Sequence, residues 1–255
     1  MEEEEEEEDI ETALSKIITI TFKELVAIYG SHKEKEKEKE KEKEKENKDT
    51  IKVEPKSRLI FPCYGNHRNN EVRVSEQELR FAFVEAFYEY CSTENHLELF
   101  YSVETPTRYR YNFANKDNPC SCDNDKCNRY KSGSFDLVIH DDNMKRVAYI
   151  EFKANNPTKG HLKDFCKLKK DPDDEGVNSL RYFIEIVTAY NGKTKKSLKG
   201  KFKDAGDKVK CIVLYISNEP TTSKILEYKY ENKGGQLKTI LEYKYENKEG
   251  QLEKI

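Results

Sequence analysis

The sequence predicts an α/β (α+β) protein: a mixed central sheet flanked by helices, with a low-complexity N-terminal segment and a β-hairpin-like repeat at the C-terminus. Three observations carry this. Residues 75–90 hold an apolar stripe at helical spacing. Residues 132–154 alternate like the two arms of a hairpin. Residues 209–217 (VKCIVLYIS) are nearly continuously apolar, the composition of a strand buried on both faces.

In chain order, residues 1–9 form an acidic tail, which a charge run of this kind leaves unfolded. Residues 10–30 form an amphipathic segment. Leu14, Ile17, Ile18, Phe22, Leu25 and Val26 fit a helical stripe, though KIITITF also suits a strand. This segment either covers the core or recruits a partner, a second copy included. Residues 31–56 contain seven Lys-Glu pairs. Alternation places like charges at i,i+4, so helix support is mixed and a linker is expected. Residues 57–219 form the folded domain. Residues 220–255 hold a repeat with a period of 15, ILEYKYENKGGQLKT then ILEYKYENKEGQLEK, read as a hairpin appendage or sheet extension.

Within the domain, Ser75 and Glu78 fit a capping box opening a helix to Tyr90. Leu97 to Glu104 reads as the first strand, ended by Thr105-Pro106. The hairpin gives the next two strands. Residues 159–170 read as a polar helix, 179–190 as a more apolar helix, and 209–217 as the last strand.

The hairpin carries the chemistry. An Asp142-Asn143 turn would pair Asp141 with Met144, Asp136 with Tyr149 and Ser134 with Glu151. Phe135, Leu137 and Ile139 then face one way with Ala148, Ile150 and Phe152. Asp136, Glu151 and Lys153 share the other face, and a one-residue slip would separate them. Two carboxylates offer hard oxygen ligands to Mg²⁺, and a lysine beside them can orient or activate water, a set suited to phosphodiester attack. The plain alternative is a charged, solvated hairpin face.

Gly133-Ser134-Phe135-Asp136 with Glu151-Phe152-Lys153 resembles the signature of the PD-(D/E)XK nuclease superfamily, the restriction-endonuclease-like fold. Phe135 stands where that signature often has Pro. The resemblance spans roughly residues 57–219. It implies an αβββαβ core and a metal-dependent nuclease acting on nucleic acid, more often DNA, in restriction, defence or repair. Asp136 and Glu151, with the Phe152 carbonyl, would hold Mg²⁺ or Mn²⁺. Lys153 would activate water or stabilise the phosphate. The superfamily commonly adds a first-helix glutamate. Glu76 falls on the inward face at about 100° per residue, and is the candidate here. A helix-end carboxylate favoured by the macrodipole is the other reading of Glu76, and Glu104 is an outside candidate. A catalytically silent or partner-gated binding module on the same fold is the rival.

Composition sets the bounds. No apolar run approaches the roughly 20 residues of a membrane span. The acidic N-terminus lacks a signal peptide's basic region, so the seven cysteines are expected as reduced thiols in a cytoplasm, of microbial origin by the AT-rich residue usage. Residues 1–9 hold eight acids and no base, so a net charge of −3 leaves the rest at +5. Lys193, Lys195, Lys196, Lys199, Lys201 and Lys203 fall between the last expected helix and strand without an acid among them. They suit phosphate contacts in a loop, or are simply solvated. Cys120, Cys122 and Cys127 are crowded enough to bind structural Zn²⁺ with a fourth ligand such as Cys63 or His67, or are free thiols.

Overall fold

The structure is a computed structural model that describes residues 9–41, 55–62, 72–93, 97–111, 131–155, 160–217, 222–231, 236–245 and 252–254. Helix α1 (Ile10–Lys41) and α2 (Glu76–Cys91) precede strands β1 (Phe100–Tyr111), β2 (Lys131–His140) and β3 (Arg146–Ala154). Then come α3 (His161–Lys170), β4 (Leu180–Val187), α4 (Gly192–Phe202) with a 3₁₀ turn, β5 (Lys210–Tyr215), β6 (Lys224–Glu231), β7 (Gln236–Tyr245) and β8 (Leu252–Lys254). The eight strands form one mixed sheet in sequence order. β1, β2 and β3 are antiparallel, β3, β4 and β5 are parallel, and β5 to β8 are antiparallel. From α2 to β4 the element order is αβββαβ.

Helices cover both faces. On one, Leu14, Ile17, Phe22 and Leu25 of α1 join Phe83 and Phe87 of α2 over Leu137, Ile150, Phe152 and Ile184. On the other, Phe165 and Leu168 of α3 join Leu198 and Phe202 of α4 over Val138, Tyr149, Phe183 and Val213. The amphipathic segment is therefore helix, and its stripe is core. A partner docking through that stripe is not supported, because those side chains are buried within the chain. Asp9 caps α1 by accepting the Thr12 N–H at 2.6 Å. The expected capping box opens α2, with Glu78 buried by it and close to Arg73.

Several expectations are corrected. Residues 180–187 form a strand where a helix was expected. Tyr182, Ile184 and Ile186 face one core and Phe183 and Val187 the other, so β-branched and aromatic residues at period two override the helical reading. The lysine run is a helix where a loop was expected. Asn191 Oδ1 accepts the Lys193 and Thr194 N–H groups at 3.0 Å, and lysine is a good helix former once capped. β1 continues through Thr105-Pro106 to Tyr111, since a proline is tolerated in a strand at the sheet edge. Cys166 is disulfide-bonded, against the reduced thiol expected at that position, while Cys91 and Cys211 are free.

The repeat extends the sheet. Its first copy pairs Tyr228 with Thr239, Lys229 with Lys238 and Tyr230 with Leu237. Fifteen residues on, Tyr243 pairs with Lys254, Lys244 with Glu253 and Tyr245 with Leu252. Each copy thus makes the same hairpin, and β7 is an arm of both. No helix among the described residues is long and apolar enough to cross a membrane.

Candidate active site

The site forms where β2 and β3 part. Their ladder runs from His140↔Arg146 to Leu137↔Ile150, with a bulge beside His140. Asp142 and Asn143 form the expected turn, but an extra residue at Met144 and the bulge beside His140 each shift the register by one. Met144 N–H donates to the Asp141 carbonyl at 3.0 Å, Asp141 N–H to the Lys145 carbonyl at 3.1 Å, and Met144 takes a positive φ of 59°. Val138 therefore faces Tyr149, two positions from the expected register. An even slip preserves which face each residue occupies, so Asp136, Glu151 and Lys153 still converge.

One position past the last rung, Asp136 and Glu151 face each other. Asp136 Oδ2 accepts the Phe152 N–H at 2.7 Å. The alternation breaks here: Leu137 and Ile139 lie in the α1–α2 core, but Phe135 lies in the α3–α4 core against Tyr149. On the β1 side the ladder pairs Val103 with Leu137 and Thr105 with Phe135, which puts Glu104 across from Asp136. Glu104 has a φ of +48°, in the left-handed region that side chains rarely adopt. Three neighbouring strands thus bring three carboxylates into line.

Each is met by a cation. Arg80 Nη2 lies 3.0 Å from Asp136 Oδ1, and its Nη1 lies 2.8 Å from Glu104 Oε1. Lys167 Nζ lies 2.5 Å from Glu151 Oε1 and 3.2 Å from Asp164 Oδ1. Lys153 Nζ lies 3.2 Å from Asp164 Oδ2 and 3.5 Å from Glu76 Oε2, and donates to the Phe152 carbonyl at 2.9 Å. Five carboxylates (Glu76, Glu104, Asp136, Glu151, Asp164) face three cations, an excess of two negative charges.

Burial and the neighbouring charges together set the proton affinities. Burial raises Glu151 well above the usual carboxylate range, the nearby Asp164 adds to it, and Lys167 opposes. For Lys153, burial works downward, but Asp164, Glu76, Asp136 and Glu151 together carry it upward. Lys167 follows the same pattern through Glu151 and Asp164. Glu76 is raised by burial, with Lys153 opposing.

The sequence-derived residues Asp136, Glu151, Lys153 and Glu76 thus lie in one cluster. Asp164 and Lys167 of α3 belong to it and were missed, and Arg80 of α2, one turn after Glu76 on the inward face, belongs to it as well. Asp164 and Lys167, three apart and interleaved with Phe165, Cys166 and Leu168, were the available signal. The six lysines divide: Lys193, Lys195, Lys196, Lys199 and Lys203 are exposed, whereas Lys201 is buried and bonded to Glu185 at 2.9 and 3.1 Å. Lys201 is therefore removed from the nucleic-acid contacts. Cys120, Cys122 and Cys127 lie outside the described residues.

No group of three or more His, Cys, Asp or Glu side chains is arranged to hold a metal ion among the described residues. The donor chemistry nevertheless fits a hard cation: two facing carboxylates, an adjacent carbonyl and a surplus of negative charge. Glu151 Oε1 and Asp164 Oδ2 are buried without a well-directed hydrogen bond, despite the lysines nearby. No protein-family model, no curated protein and no solved structure matches this chain.

Proposed function

We propose that this protein is a metal-dependent nuclease of the PD-(D/E)XK type, hydrolysing phosphodiester bonds, with DNA as the substrate. The observation that carries the reading is the facing of Asp136 and Glu151 at the end of the β2–β3 ladder, with Lys153 two residues along the same strand. The αβββαβ order from α2 to β4 agrees with it.

Asp136, Glu151 and the Phe152 carbonyl would hold Mg²⁺ or Mn²⁺, which when bound supplies a polarised phosphate and a more acidic water. Asp136 is oriented for this by the Phe152 N–H. Lys153, kept charged by its carboxylate neighbours, orients water or stabilises charge on the phosphate. Glu76 positions Lys153 from the start of α2. The exposed lysines of α4 would contact phosphates away from the cut.

A second reading has one observation in its favour. Arg80 and Lys167 occupy the very carboxylates that would bind metal, as in a silent or partner-gated nucleic-acid-binding module. Supercoiled plasmid incubated with Mg²⁺, Mn²⁺ or EDTA decides between them. Nicking that EDTA abolishes is the result expected of the nuclease. Binding without cleavage in either metal would favour the module.

A further inference from the structure

Arg80 joins two acceptors of different kinds. Asp136 is the inner one, with its side chain 16% exposed, and Glu104 is at the rim, 58% exposed. Glu104 is itself held: the Ser134 hydroxyl donates to its other oxygen at 3.0 Å, and its backbone is in the left-handed region. Strained backbone of this kind clusters at working sites. The guanidinium is not fully satisfied, since Nε is buried without an acceptor. Arg80 therefore has one partner that a bound cation would compete for and one that would remain.

We propose that Arg80 is a two-position phosphate-binding residue. Without metal it neutralises Asp136. With a divalent cation on Asp136, the guanidinium would leave that carboxylate, pivot on its Glu104 contact and take a non-bridging phosphate oxygen of the nucleic acid at the rim. A phosphate is a suitable destination, because the planar fork matches its oxygens and the bonds are charge-assisted. The inference rests on the site reading above and assigns Arg80 a place within it. It makes metal binding and nucleic-acid binding cooperative through one side chain.

The test uses the full chain as wild type, Arg80→Ala and Arg80→Met, with Asp136→Asn as control. Ca²⁺ binding is measured by calorimetry, and binding of a labelled DNA duplex is measured in Ca²⁺ and in EDTA over a salt series. Removing the competing guanidinium should tighten Ca²⁺ binding about tenfold, within the usual range of such couplings. In Ca²⁺, duplex affinity should fall and the salt slope should shrink by about one, the signature of one lost phosphate contact. In EDTA the duplex affinity should not change. Unchanged Ca²⁺ affinity, or an equal loss of duplex binding in Ca²⁺ and EDTA, would make Arg80 a fixed strut and overturn the proposal. Arg80→Met keeps the apolar stem, so it carries the test if Arg80→Ala does not fold. Failure of both to fold would assign Arg80 to structure and also overturn it. A wild type that binds no Ca²⁺ would remove the site reading itself, and Arg80's role with it.

Discussion

Asp136 and Glu151 face each other one position beyond Leu137↔Ile150, the last rung of the β2–β3 ladder, and Asp136 bonds to the backbone N–H of Phe152 rather than pointing into solvent. The carboxylate is thus fixed by the strand that carries its partner. Asp136→Asn keeps the shape and an oxygen for the Phe152 N–H but removes the charge. Cleavage should fall at least about 100-fold, on the scale of losing a group that stabilises developing charge. Far-UV circular dichroism and the melting temperature should change little. Full activity in this variant would refute the assignment of the site.

How much of this was legible in the sequence depends on whether the signal was local. The α2 capping box and the stripe of α1 rest on residues a few positions apart, and both appear in the structure. The face shared by Asp136, Glu151 and Lys153 survived because the Asp142-Asn143 turn formed as expected and the two irregularities beside it, at Met144 and His140, add up to an even slip. The 180–187 strand was misread because an apolar run broken only by Arg181 and Glu185, four apart, also fits a helix, and parallel pairing with β3 and β5 decides it. Asp164 and Lys167 were missed for a related reason: a charged residue on a helix signals exposure until a buried partner from another element is known.

Lys201 and Glu185 form a buried pair between α4 and β4, with both side chains nearly inaccessible. Lys201→Met should destabilise the fold by about 3–5 kcal/mol, because it leaves a buried carboxylate without a counter-charge. Adding Glu185→Gln should recover a large part of that loss, since no unpaired charge remains. Urea denaturation of the two variants checks this. A Lys201→Met protein as stable as wild type would show that the pair contributes nothing.

His161 gives a pH dependence with a defined sign. Burial lowers its pKa, the Lys201 ammonium lowers it further, and Asp204 at 3.6 Å opposes. Because the unfolded imidazole takes up its proton at higher pH, near about 6.5, stability should decline as pH falls below that value, and level off below the folded pKa. His161→Asn removes this contribution. The difference in urea midpoint between pH 7.5 and pH 5.5 should therefore be smaller in the variant than in wild type. Identical differences would show that His161 titrates alike in both states.

Lys153 separates chemistry from binding. Its ammonium touches Asp164, Glu76 and the Phe152 carbonyl, and its carboxylate neighbours outweigh burial to hold it charged. In the metal-free site it is thus tied to its own protein. A bound cation would offset those carboxylates, and the lysine would then be free to act on water or phosphate. Lys153→Met should leave duplex binding in Ca²⁺ nearly unchanged, because one phosphate contact among several is a small electrostatic part of the whole. Cleavage in Mg²⁺ should fall by orders of magnitude, as for a group that acts chiefly in the transition state. Both are measured on the same preparation. Equal, modest losses in binding and cutting would make Lys153 a phosphate anchor and remove it from the chemistry.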